Sequence, residues 1–273
     1  MVYRTYTPKP PLCHFVELLW YYQGGERTHA KERILPDGSL SLVVNLNQDE
    51  IRVYDPRRTE RAVKFRGASV GGPHSEFSVI DTAEQKHVIG VHFKPGGGFP
   101  FFQLPVCELH NLHIALEDVW DQAANDLRDR LLEAPAVEDK FRVLESCLLQ
   151  QMAKPMERHP AVAFALHHLQ NGPQTRTISD LTHQIGLSPT RFIHVFREEV
   201  GLAPKLFCRV RRFQKVLRLI GRERDIDWAG VALSCGYFDQ SHFNHDFRAF
   251  SGINPSTYQV HRTEYRNHVP LVD

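Results

Sequence analysis

Two hydrophobic periods divide the chain. As far as about Pro95, apolar residues come in short runs: "LSLVVNL" (Leu40–Leu46), "IRVYD", "EFSVI" and "KHVIGVHFKP". These runs are rich in β-branched and aromatic residues and are separated by "PDG", "DPRR" and "GGPH". Runs of this kind between turn signals predict antiparallel strands closed into a sandwich or barrel. From about Glu117 the period lengthens. Val137, Phe141, Leu144, Leu148 and Met152 recur at helical spacing, in a stripe that either packs on the sandwich or meets its copy in a second subunit. "MAKPMERHP", with Pro155 and Pro160, interrupts the pattern. "PAVAFALHHLQNG" then places Val162, Ala165, Leu166 and Leu169 on one helix face, with Pro160 at its start and Gly172 at its stop. The expected fold is α+β in two domains. An N-terminal domain over 1–156 is β-rich to about 100 and helical from about 117, an all-α domain covers 157–262, and a tail covers 263–273.

The helical part contains a long-range echo. In "TISDLTHQIGLSPTRFIHVFREEVG" (Thr177–Gly201), Thr177 and Asp180 resemble a capping box, and Ile178, Leu181 and Ile185 form a buried stripe. Gly186 turns the chain, Ser188 caps a second helix with Pro189 in its first turn, and Phe192, Val195 and Phe196 point inward. In "DWAGVALSCGYFDQSHFNHDFRAFSG" (Asp227–Gly252) the order repeats. Asp227 is a cap, Trp228, Val231, Ala232 and Cys235 are the stripe, Gly236 is the turn, and Asp239 is a second cap ahead of Phe243, Phe247 and Phe250. Helix, glycine turn, helix is the helix-turn-helix order. Between the units, "KLFCRVRRFQKVLRLIGRER" reads as one amphipathic helix. Leu206, Val210, Phe213, Leu217 and Ile220 line one side, and Arg209, Arg211, Arg212, Lys215 and Arg218 occupy the others.

The polar faces of the two second helices are unusual. An ordinary wet face uses Glu and Lys. The second unit instead presents Gln240, Ser241, Asn244, His245 and Arg248, with His242 on the flank, and the first presents Thr190, Arg191, Ile193, His194 and Arg197. These types supply the donors and acceptors that read base edges in a major groove, and an exposed isoleucine suits a thymine methyl. The competing reading is two helical hairpins with polar outer faces that bind protein or nothing.

Composition narrows the classes. With 42% hydrophobic and 24% charged residues in 273, the chain is that of a folded protein. No apolar run approaches the roughly 20 residues of a membrane span, and the start lacks signal-peptide order, so a cytoplasmic location is expected. From residue 171 onward 14 Lys/Arg stand against 10 Asp/Glu, and in the remainder 19 stand against 22. An anionic partner therefore fits the C-terminal third. The five cysteines (13, 107, 147, 208 and 235) are scattered and contain no CxxC, which suits reduced thiols.

The region from about Pro160 to Tyr258 resembles the DNA-binding domain of the AraC/XylS family of bacterial transcription regulators. The residues that carry the resemblance are the first unit through "LAPKLF", the segment "RVRRFQKV", and "WAGVALSCGYFDQSHFNHDFRAFSGINPSTY", notably Gly236, Tyr237, Gln240, Phe243, Phe247, Gly252, Pro255 and Tyr258. The resemblance implies two helix-turn-helix subdomains joined by a long helix, with recognition helices entering successive major grooves about 34 Å apart. It also implies double-stranded operator DNA and RNA polymerase as partners. His194 and His245 stand where basic residues often occur in the family. "RILPDGSLSLVVNL" and "GVHFKPGGGFPFF" resemble the sensor half of one subgroup, with a cupin-like domain. That half implies a small-molecule effector and offers a surface for a homodimer.

Candidate ligand residues in the sensor half are Trp20, Tyr22, His92 and Lys94. Aromatic residues on a strand such as Trp20, Tyr21 and Tyr22 are more often core. "KPGGGFP" (Lys94–Pro100) lacks the Lys-Ser/Thr pair of a phosphate loop and reads as a turn or bulge, with an anion site as the alternative. His87 and His92, with His74 and Glu76 upstream, lack the close His-x-His pair of cupin metal sites. No metal or cofactor is expected. Nucleophile elbows, Walker loops and HExxH are missing, and the scattered cysteines argue against alkyl-transfer repair, so no enzyme is expected. The alternative is a cupin-like metal enzyme with a helical docking module. A third reading is a regulator that acts through protein contact without reading DNA.

Overall fold

The computed structural model describes residues 1–25, 29–152, 157–171, 178–221 and 225–271. Pro155, Gly172 and Thr177, and with Thr177 the expected capping box, lie outside the described residues, as does the side chain of Ile178. The N-terminal half begins with ten strands: β1 (Val2–Tyr6), β2 (Val16–Gln23), β3 (Lys31–Ile34), β4 (Ser41–Asn45), β5 (Ile51–Asp55), β6 (Arg58–Phe65), β7 (Ala68–Gly71), β8 (Ser78–Asp81), β9 (His87–Phe93) and β10 (His113–Ala115). Helices α1 (Glu117–Trp120), α2 (Gln122–Glu133) and α3 (Val137–Gln150) follow. The strands form two sheets, one ordered β1-β2-β9-β4-β7-β10 and the other containing β3-β8-β5-β6.

Period-two alternation assigns the faces of the first sheet. Leu19 and Tyr21 of β2, Leu42 and Val44 of β4, and Ile89, Val91 and Phe93 of β9 share one core with Leu127, Leu131, Phe141, Leu144 and Leu148 of the helices. Trp20, Val43, Val88 and His92 alternate with them and face the interior between the sheets. The Phe141 stripe therefore packs on the sheet, and the Phe141 ring stacks on Tyr6 at 5.6 Å. Only its end, at Met152, is exposed. The Trp120 indole N–H donates to the Phe101 carbonyl at 2.9 Å, which satisfies its one polar atom inside the core.

The C-terminal half consists of α4 (Pro160–Asn171), α5 (Ile178–Ile185), α6 (Pro189–Val200), α7 (Pro204–Ile220), α8 (Trp228–Ser234), α9 (Gln240–Ser251) and α10 (Pro255–His261). Gly186 and Gly236 sit at φ +72° and +80°, the left-handed conformation that lets each pair of helices turn tightly. Ser188 accepts from the Arg191 N–H at 3.3 Å, Asp227 from Gly230 at 3.1 Å and Asp239 from His242 at 2.7 Å, so all three expected caps on described residues form. Helix α7 runs through the centre, with Phe207, Val210, Phe213, Leu217 and Ile220 buried. Its Phe213 ring meets Phe247 at 5.2 Å and Phe250 at 5.3 Å. Burying each such ring contributes about 1.5–3 kcal/mol.

The segment expected as a tail carries a strand. β11 (His268–Pro270) pairs antiparallel with β3, which adds a fifth strand to the second sheet at its edge. The Leu35 N–H donates to the Asn267 carbonyl at 2.8 Å, and the Leu271 N–H to Lys31 at 2.9 Å. Leu35, from the N-terminal half, lies in the same core as Phe207 and Phe213. Arg158 donates to the carbonyls of Pro95 and Gly96 at 3.2 and 3.0 Å. The "KPGGGFP" segment is thus a turn held by the chain that links the two halves.

Candidate nucleic-acid interface and ligand cavity

Helices α6 and α9 each bury one side and expose the other. Phe192, Val195 and Phe196 are buried on α6, and Phe243, Phe247 and Phe250 on α9. On the opposite sides, Thr190, Arg191, Ile193, His194 and Arg197 are exposed, and so are Gln240, Ser241, His242, Asn244, His245 and Arg248. Ile193 keeps 37% of its surface open in the middle of a polar face. On α6, His194 lies 3.5 Å from Glu198. The Gln, Ser, Asn and Thr side chains carry both donors and acceptors, the combination needed to read base edges.

The α9 face rests on a buried carboxylate. Asp246 is only 2% exposed and accepts from Arg209 of α7 through Nη2 at 2.6 Å and Nε at 3.4 Å. His242 and His245 each stand 3.9 Å from the same carboxylate. The His242 ring also meets the Tyr237 ring edge-on at 5.3 Å. Asp246 therefore ties α9 to α7 and sets a buried carboxylate near two histidines of the exposed face. An aspartate in a run of polar residues carries no sequence signal of burial.

The basic residues of α7 serve differently from the sequence expectation of a basic connecting surface. Arg209 is consumed by Asp246, Arg212 lies over the Tyr237 ring at 5.0 Å, and Lys215 donates to the Ser234 carbonyl at 2.8 Å. Arg211 and Arg218 line a cavity. The exposed arginines of the candidate interface are thus Arg191, Arg197 and Arg248 on α6 and α9 themselves.

That cavity, of about 670 Å³, lies between the two sheets and is walled on one side by α7 and the segment leading into β11. Trp20, Tyr22, His92 and Lys94 all line it. Tyr21, one residue out of phase, is in the core instead. The Lys94 ammonium donates to the Cys13 carbonyl at 2.6 Å. His92 pairs with Asp37 at 3.2 Å. The two keep 29% and 23% of their side-chain surface, and what remains open faces the cavity. Burial pulls the His92 pKa down, but Asp37 outweighs it and holds the imidazole above its ordinary value. Burial raises Asp37, and His92, the Ser39 N–H and Arg211 together bring it below the usual range. The pair is therefore ionised, as opposite charges in contact favour.

His74 and His113 also line the cavity and were not anticipated as a pair. Their rings lie 4.7 Å apart, and among the described residues neither Nε2 has a hydrogen-bond partner. Burial, then His113 and His110, depress His74 to about 3, and burial depresses His113 to about 4. His87 instead contacts the Tyr21 hydroxyl at 2.9 Å. Among the described residues, no group of three or more His, Cys, Asp or Glu is placed to hold a metal ion, and no helix is long and apolar enough to cross a membrane.

A sharp test of the interface is Asn244→Ala. Loss of one bidentate base contact is expected to flatten the preference at a single position of the bound sequence, at about 1–3 kcal/mol. An unchanged preference in a selection from random DNA would remove Asn244 from the reading set.

Residues 181–261 match the family described as Helix-turn-helix domain, and residues 4–115 match the one described as Domain of unknown function (DUF6597). No curated protein matches the chain. Among solved structures, the C-terminal domain of AraT, a response regulator from Geobacillus stearothermophilus, is 22% identical. It covers 40% of this chain and 93% of its own, at a TM-score of 0.36. A probable AraC family transcriptional regulator from Rhodopseudomonas palustris CGA009 is 27% identical over 37% of this chain and 96% of its own, at a TM-score of 0.34. ToxT from Vibrio cholerae is 8% identical over 95% of this chain and 98% of its own, at a TM-score of 0.47.

Proposed function

From the premise that the chain carries an AraC-type helix-turn-helix domain behind a DUF6597 domain, we propose that it is a sequence-specific DNA-binding transcription regulator whose DNA affinity responds to a small molecule at the N-terminal half. The observation that carries this reading is the duplication: two capped helices, α6 and α9, each bury phenylalanines on one side and expose His and Arg on the other, joined by Thr190 and Ile193 on α6 and by Gln240, Ser241 and Asn244 on α9. A face built for solubility alone has no need of such a set on both helices. As a regulator it works where bacterial DNA is, in the cytoplasm, with operator DNA and RNA polymerase as partners. A homodimer would be assembled through the N-terminal half.

Response to a ligand has a physical route. The cavity wall includes residues of both halves, so a molecule bound there contacts the helix that joins the two reading units. Any difference in its affinity between two arrangements of those units shifts their populations.

The test is selection of the full chain against random-sequence duplex DNA at two salt concentrations. Two short enriched boxes about one helical turn apart are expected. Affinity should fall steeply with salt through counterion release, by about a thousandfold between about 50 and 200 mM for six phosphate contacts. A folded protein that enriches nothing at either salt concentration would refute the reading.

A further inference from the structure

We propose that the segment Pro73–Phe77, between β7 and β8, is a clamp that fixes α6 and α9 relative to each other and so sets the spacing of the two DNA boxes that the protein accepts. The geometry stands on contacts within the chain. Its consequence for DNA deepens the regulator reading above and rests on it.

The two reading helices end alike. Each stops at a glycine in the left-handed conformation, Gly201 after α6 at φ +84° and Gly252 after α9 at φ +73°. Both glycines abut the same short piece of the N-terminal half. A Cβ at Gly201 would stand 2.5 Å from Pro73 Cγ and 3.0 Å from Val106 Cγ1, and one at Gly252 would stand 2.4 Å from Phe77 Cε1. A side chain on either glycine would break the contact. Pro73 and Phe77 are four residues apart, so the chain between them spans at most about 14 Å. One short stretch thus touches the C-terminal ends of both reading helices. Their first turns, at Pro189, Thr190, Gln240 and Ser241, are left exposed, and a recognition helix meets base edges through its N-terminal residues.

A clamp must be stiff, and this segment is braced. The Ser75 N–H donates to Asn111 Oδ1 at 2.7 Å, and the Ser75 hydroxyl lies 2.9 Å from His110 Nε2. The Asn111 N–H donates to the Pro73 carbonyl at 3.3 Å. Val106, the second neighbour of Gly201, lies just upstream of His110 and Asn111, so both sides of that contact belong to one braced unit. Phe77 packs against the core of the helical half and lies 5.6 Å from the Arg33 guanidinium.

Helix α7 already joins the two reading units, through Phe196 on Phe207 at 5.8 Å and Phe213 on Phe247 at 5.2 Å. Two small units on one helix can still tilt about it. A second tie, away from α7, removes that freedom. The leverage is large. α9 has 12 residues and is about 18 Å long, so a tilt of about 10° at its held end moves the other end by about 3 Å, close to the rise of one base step.

The test is the distance between two spin labels, carried by unnatural residues in place of His183 on α5 and Ala229 on α8, which are exposed and outside the reading faces. In the full chain a single narrow distance is expected. Phe77→Ala and Pro73→Ala release opposite ends of the clamp, and each should broaden the distance by about 3 Å or more while the circular dichroism of the folded chain is retained. Phe77→Leu, which keeps an apolar contact, should restore the narrow distribution. If one alanine variant fails to fold, the other carries the test. In selection from random duplex DNA the alanine variants should keep both box sequences and accept spacings that differ by about one base pair. A chain that is only less stable would weaken all sites alike and leave the spacing unchanged. An unchanged distance in the folded alanine variants, or a selected spacing as narrow as that of the parent chain, overturns the clamp and leaves the regulator. A distance that broadens in the variants when no form of the chain enriches DNA does the reverse.

Discussion

Arg209→Ala is expected to destabilise the protein by about 3–5 kcal/mol, and to do so more than Asp246→Ala. The asymmetry follows from burial. Asp246 is 2% exposed, whereas the Arg209 side chain is 36% exposed. Removing the arginine strands a carboxylate inside the packing of α7 against α9, the situation in which breaking a buried pair costs most. Removing the aspartate frees a guanidinium that reaches water by a small rotation and keeps its stacking over the Phe250 ring, now at 5.3 Å. The loss should reach function as well, because the Arg209–Asp246 pair ties α9, with its exposed polar face, to α7. Denaturant unfolding of both variants decides the matter. If Asp246→Ala costs as much as Arg209→Ala, the carboxylate is not the vulnerable partner. DNA binding by the surviving folded fraction then shows whether α9 has lost its orientation.

Acid is expected to unfold the protein through His74 and His113. Both have folded-state pKa values below the unfolded 6.5, at about 3 and about 4. The unfolded chain therefore takes up protons first. The contribution is complete above about pH 6.5 and is lost as pH falls toward the folded values. Each histidine costs about 1.4 kcal/mol per pH unit in that window, so the two together cost about 4 kcal/mol between about pH 6 and 4.5. His92 runs the other way. Its raised pKa gives stability below about 6.5 that is lost as pH rises through the folded value. Below pH 6 it is charged in both states and adds no slope. Asp37 weakens only when pH falls through its own depressed value. Unfolding free energies of the protein and of a His74→Asn/His113→Asn variant over this range supply the check. A variant with the same slope would assign the acid sensitivity elsewhere.

The two halves differ in how much of them the sequence shows. In the C-terminal half, caps, turn glycines and phenylalanine stripes are local signals, and helices, turns and exposed polar faces all follow from them. The strands that alternate or run apolar, β4, β5, β8 and β9, are also visible. β6 is not, because "RTERAVKF" is an edge strand that carries charges on four of its eight residues and is exposed along most of its length, as edges that avoid pairing do. β11 is invisible for a different reason: three residues of strand have meaning only beside β3. The candidate cavity is split in the same way. Trp20, Tyr22 and His92 advertise themselves by residue type, whereas Arg211, Arg218 and Arg266 look like ordinary surface cations until the halves are brought together. His74 and His113 meet only through the pairing of β10 with β7 and the turn beyond it.

The pairing of β11 with β3 has a consequence for how the chain is made. Glu32 and His268 are 236 positions apart, and domains generally form in order of synthesis. While the ribosome is still translating the helical half, the edge of β3 has no neighbour, Glu32 lacks His268, and the cavity lacks its wall. The nascent N-terminal half must wait, with an unpaired strand edge exposed, for a segment encoded far downstream. Premature termination anywhere in the helical half would therefore release an open sheet as well as a missing DNA-binding unit, a product prone to edge-to-edge aggregation.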